Sequence, residues 1–325
     1  MSTNHATRSA SAPGKVILFG EHAVVYGQPA IAVPVTQVKA NATVTPAPPG
    51  SGLTIVASDL GTDFRLDAPP DEPLTAAARL ALSHCSAPEP DATLTLRSTI
   101  PIASGLGSGT AVSTALIRAL AEFLGCPMET AELSALVFEI EKIHHGTPSG
   151  IDNTVVAYAQ PVYFRRGQPV ERLAVGAPFT LLIGDTGIRS STREAVEQVR
   201  ESRRRDPAHY DALFDQIGDV ANQARRAIEA GRVDALGPLM DENHELLIEL
   251  GVSSPELDEL VESARFGGAM GSKLSGAGRG GNMVALVEED CVEEVAEELR
   301  EAGASRVIVS TILQRTLQRI RNKTD

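Results

Sequence analysis

Cysteine is scarce in this 325-residue sequence: Cys85, Cys126 and Cys291 stand far apart and are odd in number. No Cys-x-x-Cys spacing occurs, so neither a disulfide framework nor a structural zinc site is indicated, and a reducing, cytoplasmic setting is expected. Basic charge is short as well: 29 Lys and Arg stand against 42 Asp and Glu, a formal net charge of -13. A face that follows nucleic acid or anionic lipid is basic, so neither partner is expected; a local basic pocket for a small anion stays open. No apolar run approaches the roughly 20 residues of a membrane span. The start, MSTNHATRSA, lacks the apolar core of a secretory signal.

Several catalytic signatures are missing too. The chain has no G-x-x-x-x-G-K-[ST] phosphate loop, no G-x-S-x-G elbow, no H-E-x-x-H pair, and neither the catalytic loop nor the D-F-G of protein kinases. What remains is an ordinary globular composition, 42% hydrophobic and 22% charged, in a chain long enough for two domains.

The most informative stretch is SAPGKVILFGEHAVVYGQPAIAVPV, residues 11–35, which sets Lys15, Glu21 and His22 beside the strand-like run VILF. VILF, AIAVPV and ANATVTP read as strands punctuated by Gly and Pro. Residues 73–85 have helical spacing, and 92–100 alternate like a half-buried strand. The loop PIASGLGSG then precedes a helix over 108–124, a second helix covers 130–146, and PSGIDNTVVAYAQPVYF reads as a turn followed by strand. Residues 191–266 are mostly helical. SKLSGAGRGGNMVALV is a glycine turn entering a strand, CVEEVAEELREAG an amphipathic helix and SRVIVSTIL a last strand. A domain boundary is expected near 175, giving parts 1–175 and 176–325.

GLGSG, 105–109, opens a helix, where unpaired N–H groups carry partial positive charge and suit phosphate. A tight strand-to-helix turn explains the same residues equally well. SGAGRGG holds a formal G-x-G-x-x-G at 276–281, but a strand follows it instead of a helix, so the dinucleotide reading fails on context. Asp152 lies in a Pro-Ser-Gly turn, as a general base, a metal ligand or simply a cap, and the residues alone favour the cap. His144 and His145 lack the i, i+4 pairing of a helical zinc site and read as helix-end residues.

Taken together, APGKVILFGEHAVVYG (12–27), PIASGLGSGTAVSTAL (101–116), HGTPSGIDN (145–153), DTGIRSSTREAV (185–196) and KLSGAGRGGN (273–282) resemble the GHMP small-molecule kinases. The resemblance spans nearly the whole chain and is nearest to the members that phosphorylate mevalonate. It implies an α+β fold of two domains, the N-terminal one with a left-handed βαβ unit and the C-terminal one ferredoxin-like. It implies ATP-dependent phosphorylation of the mevalonate 5-hydroxyl in isoprenoid precursor synthesis, with ATP and Mg2+ as cofactors and a homodimer as one possible assembly. Sibling acceptors within the family are phosphomevalonate, the mevalonate 3-hydroxyl, galactose and homoserine; a non-catalytic ligand-binding protein is the other class.

By the same resemblance, ATP phosphates would lie at Gly105, Leu106, Gly107, Ser108, Gly109 and Thr110. Asp152 would accept or orient the substrate's hydroxyl proton, and Lys15 would stabilise charge on the transferring group. Glu21 and His22 would bond substrate hydroxyls or help place Lys15, Gly150, Thr192 and Ala277 would face the substrate, and Glu141 with Ser108 would hold the metal. Three positions depart from the family pattern. Gly109 stands where a second serine usually ligates magnesium, leaving Ser108, Thr110, water or Glu141 alone for that task. Arg279 interrupts the usual G-A-G-G-G turn, to meet a phosphate or face solvent. Arg189-Ser190-Ser191-Thr192 replaces the commoner P-R-S-T, with its arginine one position early.

Overall fold

The computed structural model describes residues 6–67, 72–101, 104–145 and 148–314. Residues 102–103 of the glycine-loop stretch and 146–147 of the turn before Asp152 lie outside the described residues. The chain divides into two compact units, one from the N-terminal segment up to Val16 together with Pro34–Ala159, the other from Ile17–Val33 together with everything from Gln160 onward.

The first unit is built on strands β1 (Arg8–Phe19), β2 (Ala30–Pro46), β3 (Leu53–Ala57), β4 (Thr62–Arg65) and β5 (Ala92–Ser98), with helix α1 (Pro73–His84) between β4 and β5. Both β1 and β2 continue into the second unit. β5 lies between β2, antiparallel at Ala40–Pro46, and β3, to which it runs parallel. A parallel neighbour needs a crossover, and α1 supplies it. In β5 the alternation is that of a half-buried strand: Ala92, Leu94 and Leu96 are buried, Thr93 and Thr95 only partly so. Helices α2 (Ser108–Phe123) and α3 (Thr130–His145) follow and pack on each other and on α1. Small buried side chains on α2, among them Ala111, Ala115 and Ala119, permit that close approach.

One segment differs from the sequence expectation. IDNTVVAY does not run on as turn and strand; it forms helix α4 (Ile151–Tyr158), and only Val162–Phe164 after it is a strand, β6. The β-branched run Thr154-Val155-Val156 favours a strand locally, but all three are buried against α2 and α3. Tertiary packing overrides a weak local preference. Asn153 Nδ2 donates to both Ser134 O (3.0 Å) and Ser134 Oγ (2.9 Å), which ties α4 to α3. Arg118 on α2 donates to Ala157 O and Ser11 O, binding the end of α4 and the start of β1 to the same helix.

In the second unit β6 pairs with the first residues of β2 and with the short β7 (Glu171–Arg172). Then come β8 (Phe179–Asp185), four helices α5 (Thr192–Arg205), α6 (Pro207–Ala230), α7 (Leu236–Glu249) and α8 (Pro255–Phe266), strands β9 (Gly271–Ser275) and β10 (Asn282–Val287), helix α9 (Val292–Glu301) and β11 (Arg306–Ile312). These strands form an antiparallel sheet in the order β11-β8-β10-β9. That is the βαββαβ arrangement of a ferredoxin-like fold, with its first helical crossover expanded to four helices. β9 is an edge strand, and its outward N–H groups need partners. Helix α7 supplies them: Asp241 Oδ1 accepts from Ser272 N (2.9 Å) and His244 Nδ1 from Leu274 N (3.3 Å). Gly237 and Gly271 let the helix come this close, since a Cβ on Gly271 would sit 2.2 Å from Gly237 O.

Candidate active site

In the first unit the site is assembled around Lys15 on β1. Its backbone N–H donates to Leu106 O at 2.9 Å, which seats the strand against the glycine loop. The side chain then runs across Gly107, where an added Cβ would lie 2.9 Å from Lys15 Cγ. Gly107 also needs its glycine for conformation: it caps α2 at φ 74 and provides no side-chain cap. Among the described residues no side chain caps α2, so its first-turn N–H groups, at Ser108, Gly109 and Thr110, can take an external acceptor, as an anion site requires.

The Lys15 ammonium reaches Asp152 Oδ1 at 3.0 Å. Asp152 lies in the first turn of α4, entered through Gly150 at φ 97, and its side chain is 30% exposed against 5% for Lys15. The pair is thus closed at the lysine and open at the carboxylate. Gly150 contributes backbone geometry: its carbonyl accepts from Thr154 Oγ1 at 2.7 Å.

Glu141, near the end of α3, is 2% exposed and accepts a hydrogen bond from Thr110 Oγ1 at 2.7 Å. Burial, and then the negative charge of Asp152, pushes its carboxyl up to about 7; the Thr110 hydrogen bond and the Lys15 charge only partly oppose this. Two carboxylates against one ammonium leave negative charge that a divalent cation would offset. The donors are all hard oxygens, the Glu141 carboxylate with the Thr110 and Ser108 hydroxyls, and such a set suits Mg2+. Among the described residues no group of three or more His, Cys, Asp or Glu side chains gathers into a metal cage. An ion here would take its remaining ligands from phosphate and water, as Mg2+ commonly does. Of the four options left open by Gly109, the structure sets the Thr110 hydroxyl on Glu141, with Ser108 half-buried one residue before Gly109.

Glu21, His22 and Ala277 come together in the second unit. Glu21 is 0% exposed, and its carboxylate receives the Nζ of Lys273, also 0% exposed. Lys273 Nζ donates in addition to Leu274 O at 2.6 Å. Lys273 is not marked in the sequence, because its strand, GSKLS, is made of small and polar residues that give no sign of full burial. His22 Nε2 donates to Ala277 O at 3.0 Å. A carbonyl only accepts, so this bond puts the proton on Nε2 and leaves Nδ1 as an acceptor. Burial, with the Arg279 charge adding to it, lowers the imidazole to about 4 and keeps it neutral. Arg279 itself sits at φ 60 with an exposed side chain that donates to Gly251 O at 3.1 Å. Thr192 begins α5 behind the cap Ser191 and is exposed, as is Arg189.

Two family models match the chain, the GHMP kinases N terminal domain over residues 73–160 and the GHMP kinases C terminal domain over 224–305. The chain is 35% identical to a mevalonate kinase of Thermococcus sibiricus, covering 92% of this chain and 94% of that one. It is 34% identical to the mevalonate kinase of Aeropyrum pernix, over 93% and 95% of the two chains. Among solved structures, L. major mevalonate kinase in complex with R-mevalonate superposes with a TM-score of 0.81 at 30% identity, over 94% of this chain and 96% of that one.

Proposed function

The chain belongs to the GHMP kinase family, and from that premise we propose that it transfers the γ-phosphoryl group of ATP to the 5-hydroxyl of mevalonate. The observation that carries the reading is the Lys15–Asp152 pair at 3.0 Å, in the unit that also holds the uncapped start of α2. Phosphoryl transfer needs little covalent help from a protein. It needs the phosphates held, the alcohol aligned, its proton taken and the charge on the transferring group balanced.

The residues divide these tasks. The N–H groups of Ser108, Gly109 and Thr110, with the backbone of Gly105–Gly107, bind phosphate oxygens. Asp152 accepts the hydroxyl proton through its exposed carboxylate edge. Lys15, fixed by the loop beneath it, holds that carboxylate and offsets negative charge as the transfer proceeds. Glu141, Thr110 and Ser108 would hold Mg2+, which supplies charge neutralisation on the phosphates when bound. His22, through its unprotonated Nδ1, accepts from a substrate hydroxyl, and Thr192 and the 276–278 backbone line the same substrate. The proposal includes the division of labour near residue 175, with phosphate and base chemistry before it. It also includes a cytoplasmic setting, supported by three free thiols. Among the described residues no helix is long and apolar enough to cross a membrane. The homodimer is proposed from family habit alone, and light scattering on the purified chain checks it.

The test is a substrate panel. Purified protein with ATP and Mg2+ should release ADP with mevalonate, and NMR of the product should show phosphate on the 5-oxygen. Turnover with phosphomevalonate, galactose or homoserine but not mevalonate would overturn the acceptor assignment. No turnover with any alcohol, with ATP still bound, would favour a binding protein.

A further inference from the structure

We propose that Lys273 is a positioning residue for the alcohol substrate: through its buried ion pair with Glu21 it holds the Gly20–His22 turn so that the His22 imidazole presents Nδ1 in one orientation. The inference rests on the phosphoryl-transfer reading above.

The turn has local backbone bonds, Val24 N to Gly20 O at 3.2 Å and Val25 N to His22 O at 3.0 Å, but its conformation is a demanding one. Gly20 has φ 93, and a Cβ there would lie 2.4 Å from Pro29 O, so the position is confined to glycine. His22 has φ 58, a left-handed conformation that a non-glycine residue adopts only when its surroundings impose it. Glu21 stands between these two residues. Its carboxylate receives the Lys273 ammonium, and both side chains are 0% exposed.

Lys273 does not act alone. Along β9 and the turn after it, every second residue bonds to the β1 side. Lys273 takes Glu21, Ser275 Oγ donates to Ile17 O at 2.8 Å, and Ala277 O receives His22 Nε2 at 3.0 Å. This is the period-two face of a strand. The opposite edge of β9 is tied to α7, whose Asp241 also pairs with Arg265 on α8. The path is therefore continuous from α7 through β9 and Lys273 to Glu21 and His22.

An ion pair is a poor choice for stability alone. Two apolar side chains of similar volume would be expected to do as well or better in a dry interior. A charged pair adds direction: the carboxylate must meet the ammonium, so the turn has one seat. That seat sets the His22–Ala277 bond, and the bond sets the tautomer.

The test uses the double variant Lys273→Met/Glu21→Gln, which removes both charges and preserves bulk, so that neither partner is left buried and unpaired. The KM for mevalonate should rise by about tenfold to a hundredfold, as expected when a contact group is misplaced by about an ångström, while the KM for ATP stays within about twofold. A second readout needs no substrate. Nitrogen-15 NMR of the imidazoles, with His22 assigned from a His22→Gln spectrum, should show a single Nε2–H tautomer in the unmodified protein and a mixture in the double variant. Unchanged mevalonate KM, or an unchanged His22 spectrum, would overturn the inference. If the unmodified protein does not phosphorylate mevalonate, the functional reading falls, and the NMR comparison still judges the positioning. Should the double variant not fold, Glu21→Asp keeps both charges, shortens the tie by one methylene and is read by the same two measurements.

Discussion

Two of the lysine–carboxylate pairs in this chain do opposite things. Lys15 and Asp152 meet at 3.0 Å with the carboxylate 30% exposed. Lys273 and Glu21 meet with both side chains at 0%. The same two functional groups are thus set up once for chemistry and once for geometry. An open carboxylate can exchange its contact with lysine for one with a hydroxyl. A sealed one has no such freedom, and burial lowers the Lys273 ammonium from its usual range despite the attraction of Glu21. Accessibility, not residue type, separates the two roles.

The comparison can be broken most directly at the open pair. Asp152→Ala should lower turnover by about 10²- to 10⁴-fold, the range of a positioned proton acceptor, with the fold intact by circular dichroism. Retained turnover would remove Asp152 from the chemistry. At the sealed pair the effect should fall on folding. Lys273→Ala takes the ammonium away from a sealed carboxylate, and should cost about 3–5 kcal/mol in urea unfolding. Lys15→Ala should cost only about 1 kcal/mol because its partner is partly solvated, yet it should be nearly as inactive as the Asp152 variant. If the two lysine variants lose equal stability, the contrast drawn above is wrong.

Glu141 sharpens the point through pH. Its folded carboxyl lies at about 7, above the ordinary 4.5, so the folded chain keeps a proton that the unfolded chain releases between those values. Stability therefore falls as pH rises through that window, by on the order of 2–3 kcal/mol for this group. Glu141→Gln should remove that slope, melting higher than the unmodified protein at pH 8 without metal and matching it near pH 4.5. The same variant should need more Mg2+ for turnover. Equal melting of the two proteins at pH 8 would argue against the raised carboxyl. The smallest effect is expected at Gly107→Ala. A methyl in a left-handed cap, 2.9 Å from Lys15 Cγ, should cost about 1 kcal/mol and raise the KM for ATP a few-fold.

Much of this was legible in the residues. The strand period of ATLTLRS, the helical run after GLGSG and the amphipathic CVEEVAEELREAG each state their own structure, because a period of two or 3.6 records which face is buried. The ferredoxin-like sheet of the second unit agrees with the resemblance-based expectation. Less legible was α4, where Thr154-Val155-Val156 speaks locally for a strand and only packing against α2 and α3 makes a helix. Lys273 was invisible for a related reason. A single lysine in KLSGAGRGG carries no mark of its partner, which lies 252 positions away.

By itself the sequence determined the chemistry available: glycines where phosphate needs bare backbone, one aspartate after a Pro-Ser-Gly turn, a lysine beside VILF, and the ordered motifs that place the chain among the GHMP kinases. Those are properties of residue type and spacing, and they survive without coordinates. Only the tertiary structure decided which lysine serves which carboxylate, that Thr110 meets Glu141, and that His22 carries its proton on Nε2. Each of these depends on distance and burial between residues remote in sequence, and electrostatic strength follows those two quantities far more steeply than it follows composition.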